Sequence, residues 1–320
     1  MFWQIVLLII GFALLIKGAD VFVDGASSTA ANFKVSKMLI GLTIIAFGTS
    51  APEFAVSMQA LASGNTDMVL GNVIGSNIIN ILLILGLAAV IKPIRVRANT
   101  IRKELPIALL VSVLLVVLFL DIQISGGDKN LITRSDGVAI ILFFLVFLYY
   151  LIAMAKKKKS ERKPEKAKYK MSMSLLLVAV GIVAIIFGSQ MIVGSATEIA
   201  TTLGVSERII SLTIIALGTS LPELVTTVTA ARKGEAELAV GNIIGSNIFN
   251  ICIVLGVPVA IFGTVTPGSF QAVDLVMLVV SAIILFIFAK SQRKISRREG
   301  ALMLVAFVAY YAVVLIGSLA

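Results

Sequence analysis

Histidine is absent from this chain, and cysteine occurs once, at Cys252. Without imidazole the usual zinc and copper sites cannot be built, and any proton handling falls to carboxylates. A single cysteine makes no intramolecular disulfide, so nothing requires an oxidising compartment. Charge is scarce as well: 14% of the 320 residues are charged, while 59% are hydrophobic and the mean hydropathy is +1.06. Such a composition cannot cover a water-soluble surface and marks a polytopic membrane protein, whose partner is the lipid bilayer. The net charge of +10 does not alter this. Its basic residues sit in short tracts between long apolar runs, with no stripe to follow a phosphate backbone, so nucleic acid is not an expected partner. The first apolar run lacks the basic flank and small-residue cleavage site of a signal peptide and is read as a retained span.

What the chain does contain, it contains twice. Gly48, Thr49, Pro52 and Glu53 recur as Gly218, Thr219, Pro222 and Glu223, each 170 positions later. Asn72, Gly75, Ser76 and Asn80 recur at the same offset as Asn242, Gly245, Ser246 and Asn250. Upstream the offset holds for Gly11/Gly181, Gly18/Gly188 and the Val35-Ser36/Val205-Ser206 pairs. The sequence is a duplicated unit.

A bilayer core of about 30 Å takes about 20 apolar residues in a helix. On that rule ten spans are predicted, at 2–23, 37–61, 68–90, 105–121, 136–154, 173–194, 209–231, 238–262, 272–290 and 300–318. The expected fold is an all-α membrane protein of ten transmembrane helices. Residues 1–154 form a first five-helix repeat, 155–171 a basic linker, and 172–320 a second repeat. Nine of the residues from Lys156 to Lys170 are Lys or Arg, which places the linker in the cytoplasm. Parity then puts Lys92, Arg95, Arg97, Arg102, Lys103, Arg232, Lys233, Arg293, Lys294, Arg297 and Arg298 inside. The loops Ser63 to Asp67 and Gly263 to Gln271, assigned outside, carry no basic residue. Both termini are expected outside, in a plasma-membrane protein. Because each repeat has an odd number of spans, the second enters from the opposite side, giving the inverted repeats of secondary transporters.

Glu53 and Glu223 lie deep within apolar spans, each behind Gly-Thr-Ser-X-Pro. An unpaired carboxylate at mid-bilayer costs at least about 2.5–3.5 kcal/mol, so two at equivalent positions call for compensation. Proline removes a backbone donor and glycine permits unwinding, so each helix is expected to break around Gly48–Pro52 and Gly218–Pro222. The freed carbonyls of Ala46, Thr49, Ala216 and Thr219 would then point inward as cation ligands. Asn72, Ser76 and Asn80 fall at i, i+4 and i+8, on one helical face, and Asn242, Ser246 and Asn250 repeat the stripe. Two carboxylates, hydroxyls, amides and carbonyls make an oxygen-only cage suited to hard cations such as calcium and sodium.

Other polar residues read as structural. Gly71, Gly75, Gly241 and Gly245 serve close helix packing equally well. Lys17, Asp20 and Asp24 lie near a span end and are expected to pair or snorkel. Asp121, Asp128 and Asp136 read as a solvated outer loop, and Tyr149 and Tyr150 as an interfacial belt.

The paired GTSAPE/GTSLPE and GNVIGSNIIN/GNIIGSNIFN segments resemble the two alpha-repeats of the calcium/cation antiporter superfamily, specifically its prokaryotic sodium/calcium exchanger branch. The resemblance covers all ten predicted spans. It implies two inverted five-helix halves whose second, third, seventh and eighth helices form the ion sites, with the first and sixth sliding against that core in alternating access. It further implies a calcium site of Glu53 and Glu223 with the backbone at Thr49 and Thr219. The sodium sites it implies add Ala46, Ser50, Ser76, Asn80, Ala216, Ser220, Ser246 and Asn250. No cofactor and no enzymatic activity are implied; Ca2+ and Na+ bind as transported substrates, and a monomer is the expected state. Several sodium/calcium exchangers carry an aspartate at the position of Asn80 or Asn250, whereas here both are asparagine. The cage therefore holds two formal negative charges, enough for one Ca2+.

Sodium-driven calcium antiport is the expected function, with calcium/proton and potassium-dependent exchange as alternatives. The proton-coupled branch usually has a glutamate in its GN motif, where this chain has Ser76 and Ser246. A cation channel with a carboxylate ring is the alternative from another class, against which the inverted repeats count. A membrane enzyme would need a nucleophile-base constellation, and none accompanies the glutamates.

Overall fold

The computed structural model describes residues 2–120, 122, 130–157, 166–204, 216–266 and 272–319. Asp121, Asp128, Val205, Ser206, residues 158–165 of the basic linker, the start of the span expected at 209–231 and the end of the loop Gly263 to Gln271 lie outside the described residues.

The described chain is helical almost throughout. Helix α1 spans Phe2–Phe33, α2 Lys37–Thr49, α3 Ala51–Ala62 and α4 Thr66–Ile91. Then come α5 at Leu105–Leu118, α6 at Arg134–Lys157, α7 at Met171–Thr202 and α8 at Leu221–Lys233. Helix α9 spans Ala236–Phe262, α10 Ala272–Gln292 and α11 Arg297–Leu319. Among these, six helices are long and apolar enough to cross a membrane, and a seventh span arises if α2 and α3, bent by 46°, are one broken span.

The burial pattern is that of a protein in lipid. Large apolar side chains such as Leu142, Val146, Val180 and Val305 face outward, while Ser50, Glu53, Asn77, Asn80, Glu223 and Asn242 are buried. Helices α4 and α9 form the centre: 72% and 83% of their most apolar windows are buried, against 28% or less in α1, α6, α7 and α10.

Glycines set the helix contacts. A Cβ at Gly11 would lie 3.0 Å from the Gly188 carbonyl, at Gly18 3.1 Å from that of Gly181, and at Gly25 2.9 Å from that of Ser174, so α1 and α7 run antiparallel in close contact. Gly41, Gly241 and Gly245 bring α2 and α9 equally close, here running parallel. The last helix of each sequence repeat crosses to the other repeat. Gly137 on α6 packs on the Gly256 backbone of α9, and Gly300 on α11 packs on the Gly86 carbonyl of α4.

Helices α1 and α7, 32 residues each, exceed the predicted spans 2–23 and 173–194. At 1.5 Å per residue they reach about 48 Å, well past a bilayer core of about 30 Å. The polar end of α1 stays helical because its side chains find partners: Ser174 Oγ donates to Ser28 Oγ at 2.9 Å, and Asn32 Nδ2 to Ser174 Oγ at 3.1 Å.

The connections gather at two ends. At one, the antiparallel ribbon β1 (Ile94–Arg95) with β2 (Lys294–Ile295) lies with the ion pairs Lys37–Glu235 (2.9 Å), Arg97–Glu237, Lys233–Asp24 (2.7 Å) and Lys168–Asp24 (2.7 Å). At the other, Ile132 bridges Val265, and the Thr66 and Thr266 hydroxyls lie 3.3 Å apart. Helix α4 runs from the second end to the first and α9 from the first to the second, so the two central helices are antiparallel.

Two expectations need correction. Asp136 is not simply solvated: its Oδ2 accepts from the Thr133 N–H and hydroxyl, each at 2.7 Å, where α6 begins. Tyr149 is exposed as an interfacial residue would be, but the Tyr150 hydroxyl donates to Glu104, which is buried.

Candidate functional site

The centre of the molecule is built by two helix breaks and two asparagine stripes. The first break falls at Ser50 (φ −86°, ψ 8°) and the second at Ser220 (φ −86°, ψ 3°), each followed by proline in the first turn of the next helix. Proline fits there because the opening N–H groups of a helix have no intrahelical partner. Glu53 and Glu223 stand in the first turns of α3 and α8, where the positive end of the helix dipole favours a carboxylate.

Gly48 and Gly218 have a different role from the expected unwinding. Both remain helical, and a Cβ on Gly48 would collide with Ile182 and one on Gly218 with Val193, both on α7. They admit α7 to the site. The Ala46 carbonyl is likewise not freed by the break: it accepts the Ser50 N–H at 3.0 Å. A carbonyl has a second lone pair, so this spends only part of its accepting capacity.

Both glutamates are 1% exposed. Glu223 Oε1 accepts from Ser50 Oγ at 2.9 Å and Ser246 Oγ at 3.5 Å. The mirrored serines do not serve Glu53 in the same way; Ser220 Oγ lies 3.5 Å from Ser76 Oγ instead. Thr49 Oγ1 donates to Asn242 Oδ1 at 3.1 Å, while Thr219 is half-buried beside Ser220. Ala216 opens the short helical turn Ala216–Gly218 before the second break. Asn80 is the second residue of the π-helical stretch Ile79–Leu85 and Asn250 the first of Asn250–Leu255, a distortion common at functional sites.

The structure brings the glutamates, hydroxyls and stripe asparagines into one region, where Asn72 and Asn242 form a supporting layer. Asn72 Nδ2 donates to the Glu53 carbonyl at 2.8 Å and to Ser57 Oγ at 2.9 Å, and Asn242 Nδ2 donates to Thr227 Oγ1 at 3.0 Å. Asn77 and Asn247, which the sequence reading did not single out, are buried between the stripes and bond to Asn250 and Asn80. The signal was present: Asn77 and Asn247 sit inside the repeated GSN triplet.

The decisive electrostatic feature is what remains unpaired. Glu53 Oε1 and Oε2, Glu223 Oε2, Asn80 Oδ1 and Asn250 Oδ1 are buried oxygens without a hydrogen-bond partner. A buried acceptor left unmade costs about 1–3 kcal/mol, and five in one region are not tolerable as packing. Among the described residues no three His, Cys, Asp or Glu side chains converge, so the two carboxylates have only neutral oxygens for company.

The same architecture is found in known proteins. The model of the family described as sodium/calcium exchanger protein matches residues 3–153 and again residues 173–316. The chain belongs to the sodium/calcium exchanger family. As a member of the calcium/cation antiporter superfamily it is a multi-pass membrane transporter. It is similar to the sodium/calcium exchanger MaX1 of Methanosarcina acetivorans, with 32% identity over 96% of this chain and 97% of that one. It is also similar to the inner membrane protein YrbG of Escherichia coli, with 36% identity over 96% and 95%. Among solved structures, the sodium-calcium exchanger NCX_Mj, soaked with 10 mM Na+ and zero Ca2+, superposes with a TM-score of 0.82 at 33% identity, covering 98% of each chain. The family model thus matches once on each side of the basic linker.

Proposed function

We propose that this exchanger moves Ca2+ in one direction against Na+ in the other by alternating access through ten transmembrane helices arranged as two inverted halves. The observation that carries the reading is the set of five unpartnered buried oxygens on Glu53, Glu223, Asn80 and Asn250. Oxygen donors of this kind, with two formal charges, match one Ca2+, which takes six to eight oxygens, or a smaller set around each Na+.

In this reading Glu53 and Glu223 with the carbonyls of Thr49 and Thr219 hold Ca2+. Ala46, Ser50, Ser76, Asn80, Ala216, Ser220, Ser246 and Asn250 complete the sodium sites. Ion binding neutralises the two carboxylates, and the neutral core crosses the hydrophobic barrier between states; an empty, doubly charged core does not, which couples the two fluxes. If more than two Na+ exchange for each Ca2+, every cycle moves net charge, worth about 2.3 kcal/mol per charge per 100 mV.

The inverted arrangement is supported by the antiparallel run of α4 and α9 and by the family's separate match to each half. The halves are residues 1–154 and 172–320. The basic residues of the linker at 155–171 assign it, with the ribbon end of the molecule, to the cytoplasm of a plasma-membrane protein, and both termini to the outside.

The test is calcium uptake into liposomes containing the purified protein, under outward gradients of Na+, K+ or H+ of equal size. Uptake driven by sodium alone supports the proposal. Uptake driven by protons alone replaces it with calcium/proton exchange on the same two glutamates, and flux indifferent to every gradient but calcium's own replaces it with a channel.

A further inference from the structure

Asn80 and Asn250 pose a problem that the glutamates do not. A carboxylate offers oxygen whichever way it turns, but an amide offers oxygen from one side and a two-hydrogen donor from the other. A cation cage needs the oxygen, and a rotated amide would put positive hydrogens against the ion. Something must decide the rotation.

The structure holds both amides from their nitrogen side. Asn80 Nδ2 donates to Asn247 Oδ1 at 3.0 Å, and Asn250 Nδ2 donates to Asn77 Oδ1 at 3.2 Å. The two acceptors are themselves fixed by reciprocal bonds. Asn77 Nδ2 reaches the Asn247 carbonyl at 3.4 Å, and Asn247 Nδ2 reaches the Asn77 carbonyl at 3.2 Å. With the nitrogens so engaged, Asn80 Oδ1 and Asn250 Oδ1 are left buried and unpartnered. Asn77 is fully buried and Asn247 is 5% exposed, so water is poorly placed to substitute for either.

We infer that Asn77 and Asn247 are positioning residues that lock the amides of Asn80 and Asn250 with oxygen toward the cation, each acting on the ligand of the opposite half. Asn77 on α4 orients Asn250 on α9, and Asn247 on α9 orients Asn80 on α4. The crossed arrangement makes each half's oxygen dependent on the other half being in register, so the site is assembled only when α4 and α9 meet. This inference rests on the cation site proposed above.

The test is binding of Na+ to the purified full-length protein in detergent, read as the Na+ concentration that displaces radioactive Ca2+, with elution volume and melting temperature as checks of folding. Asn77→Ala removes the acceptor for Asn250 and is expected to weaken Na+ binding roughly 10–100-fold, the usual range for a residue that orients a metal ligand. Asn77→Asp keeps an acceptor oxygen and should not show that loss. Asn250→Asp in the Asn77→Ala background should restore binding, because a carboxylate needs no orientation; a merely structural role for Asn77 would not be rescued there. Asn247→Ala with Asn80→Asp repeats the experiment in the other half if Asn77→Ala does not fold. Unchanged Na+ binding in folded Asn77→Ala, or a loss that Asn250→Asp leaves in place, overturns the inference. Wild-type protein and Glu53→Gln in the same assay separate the two levels. Wild-type Ca2+ binding abolished by Glu53→Gln, with its displacement by Na+ indifferent to Asn77→Ala, removes only the positioning role, whereas absence of wild-type binding removes the site and the inference together.

Discussion

Ser50 Oγ lies 2.9 Å from Glu223 Oε1, so the residue that ends the first half-helix of one repeat is hydrogen-bonded to the acid that opens the second half-helix of the other. The two are 173 positions apart, and neither can be placed without the other repeat. The site thus belongs to the interface of the duplicated halves, and the changes that test it are those that alter one side and read the other.

Glu53 is the first. Both of its carboxylate oxygens are buried and unpartnered, so in the absence of ions its charge opposes folding. Glu53→Gln is expected to abolish calcium exchange while raising the melting temperature in chelator. Adding Ca2+ should then stabilise wild type, by about 2.7 kcal/mol at a hundred times Kd, and leave the variant unmoved. Thermal unfolding with and without Ca2+, beside liposome flux, checks this; substantial calcium flux in the variant would sink the assignment.

Ser50→Ala removes the donor to Glu223 together with a proposed sodium ligand. A hydrogen bond to a charged group contributes about 1.5–3 kcal/mol, and about 1.4 kcal/mol is a factor of ten. The Na+ concentration that half-inhibits Ca2+ binding should therefore rise about tenfold, with Ca2+ affinity in sodium-free buffer changing much less. Equal loss for both ions would place Ser50 in the calcium shell.

Gly48→Ala tests the approach of α7. The added methyl meets Ile182, and overpacking of this kind costs about 1–3 kcal/mol. Ile182→Val in the same chain should recover most of the lost melting temperature by shortening the opposing side chain. If Gly48 were needed for unwinding instead, the second substitution would recover nothing.

Topology can be read chemically because the only cysteine is buried. In a Cys252→Ala background, a cysteine at Ser63 should be labelled by an impermeant thiol reagent added outside intact cells, and one at Gln292 only after permeabilisation. The reverse pattern would invert the orientation inferred from the basic linker.

Much of this was legible in the residues alone. The fixed offset between Glu53 and Glu223 exposed the duplication, and a carboxylate behind Gly-Thr-Ser-X-Pro in an apolar run singled out the site, because burying such a group in lipid is too costly to be incidental. Helix length was less legible. Hydropathy ends α1 near residue 23, but Ser28 and Asn32 continue it to Phe33 because they bond to Ser174 of α7, a contact that no window over α1 can register.

Composition, repeat and local chemistry by themselves determined the class of protein and the two helix breaks, since each depends on residues close together in sequence or on their recurrence. Tertiary structure alone decided that Gly48 admits Ile182, that the Ala46 carbonyl stays within its helix, and that Asn77 and Asn247 engage the amide nitrogens of Asn250 and Asn80. Those facts depend on which face of one helix meets which face of another. An amide's oxygen and nitrogen are the same letter in a sequence, and only the neighbour across the interface determines which of them is engaged and which is left without a partner.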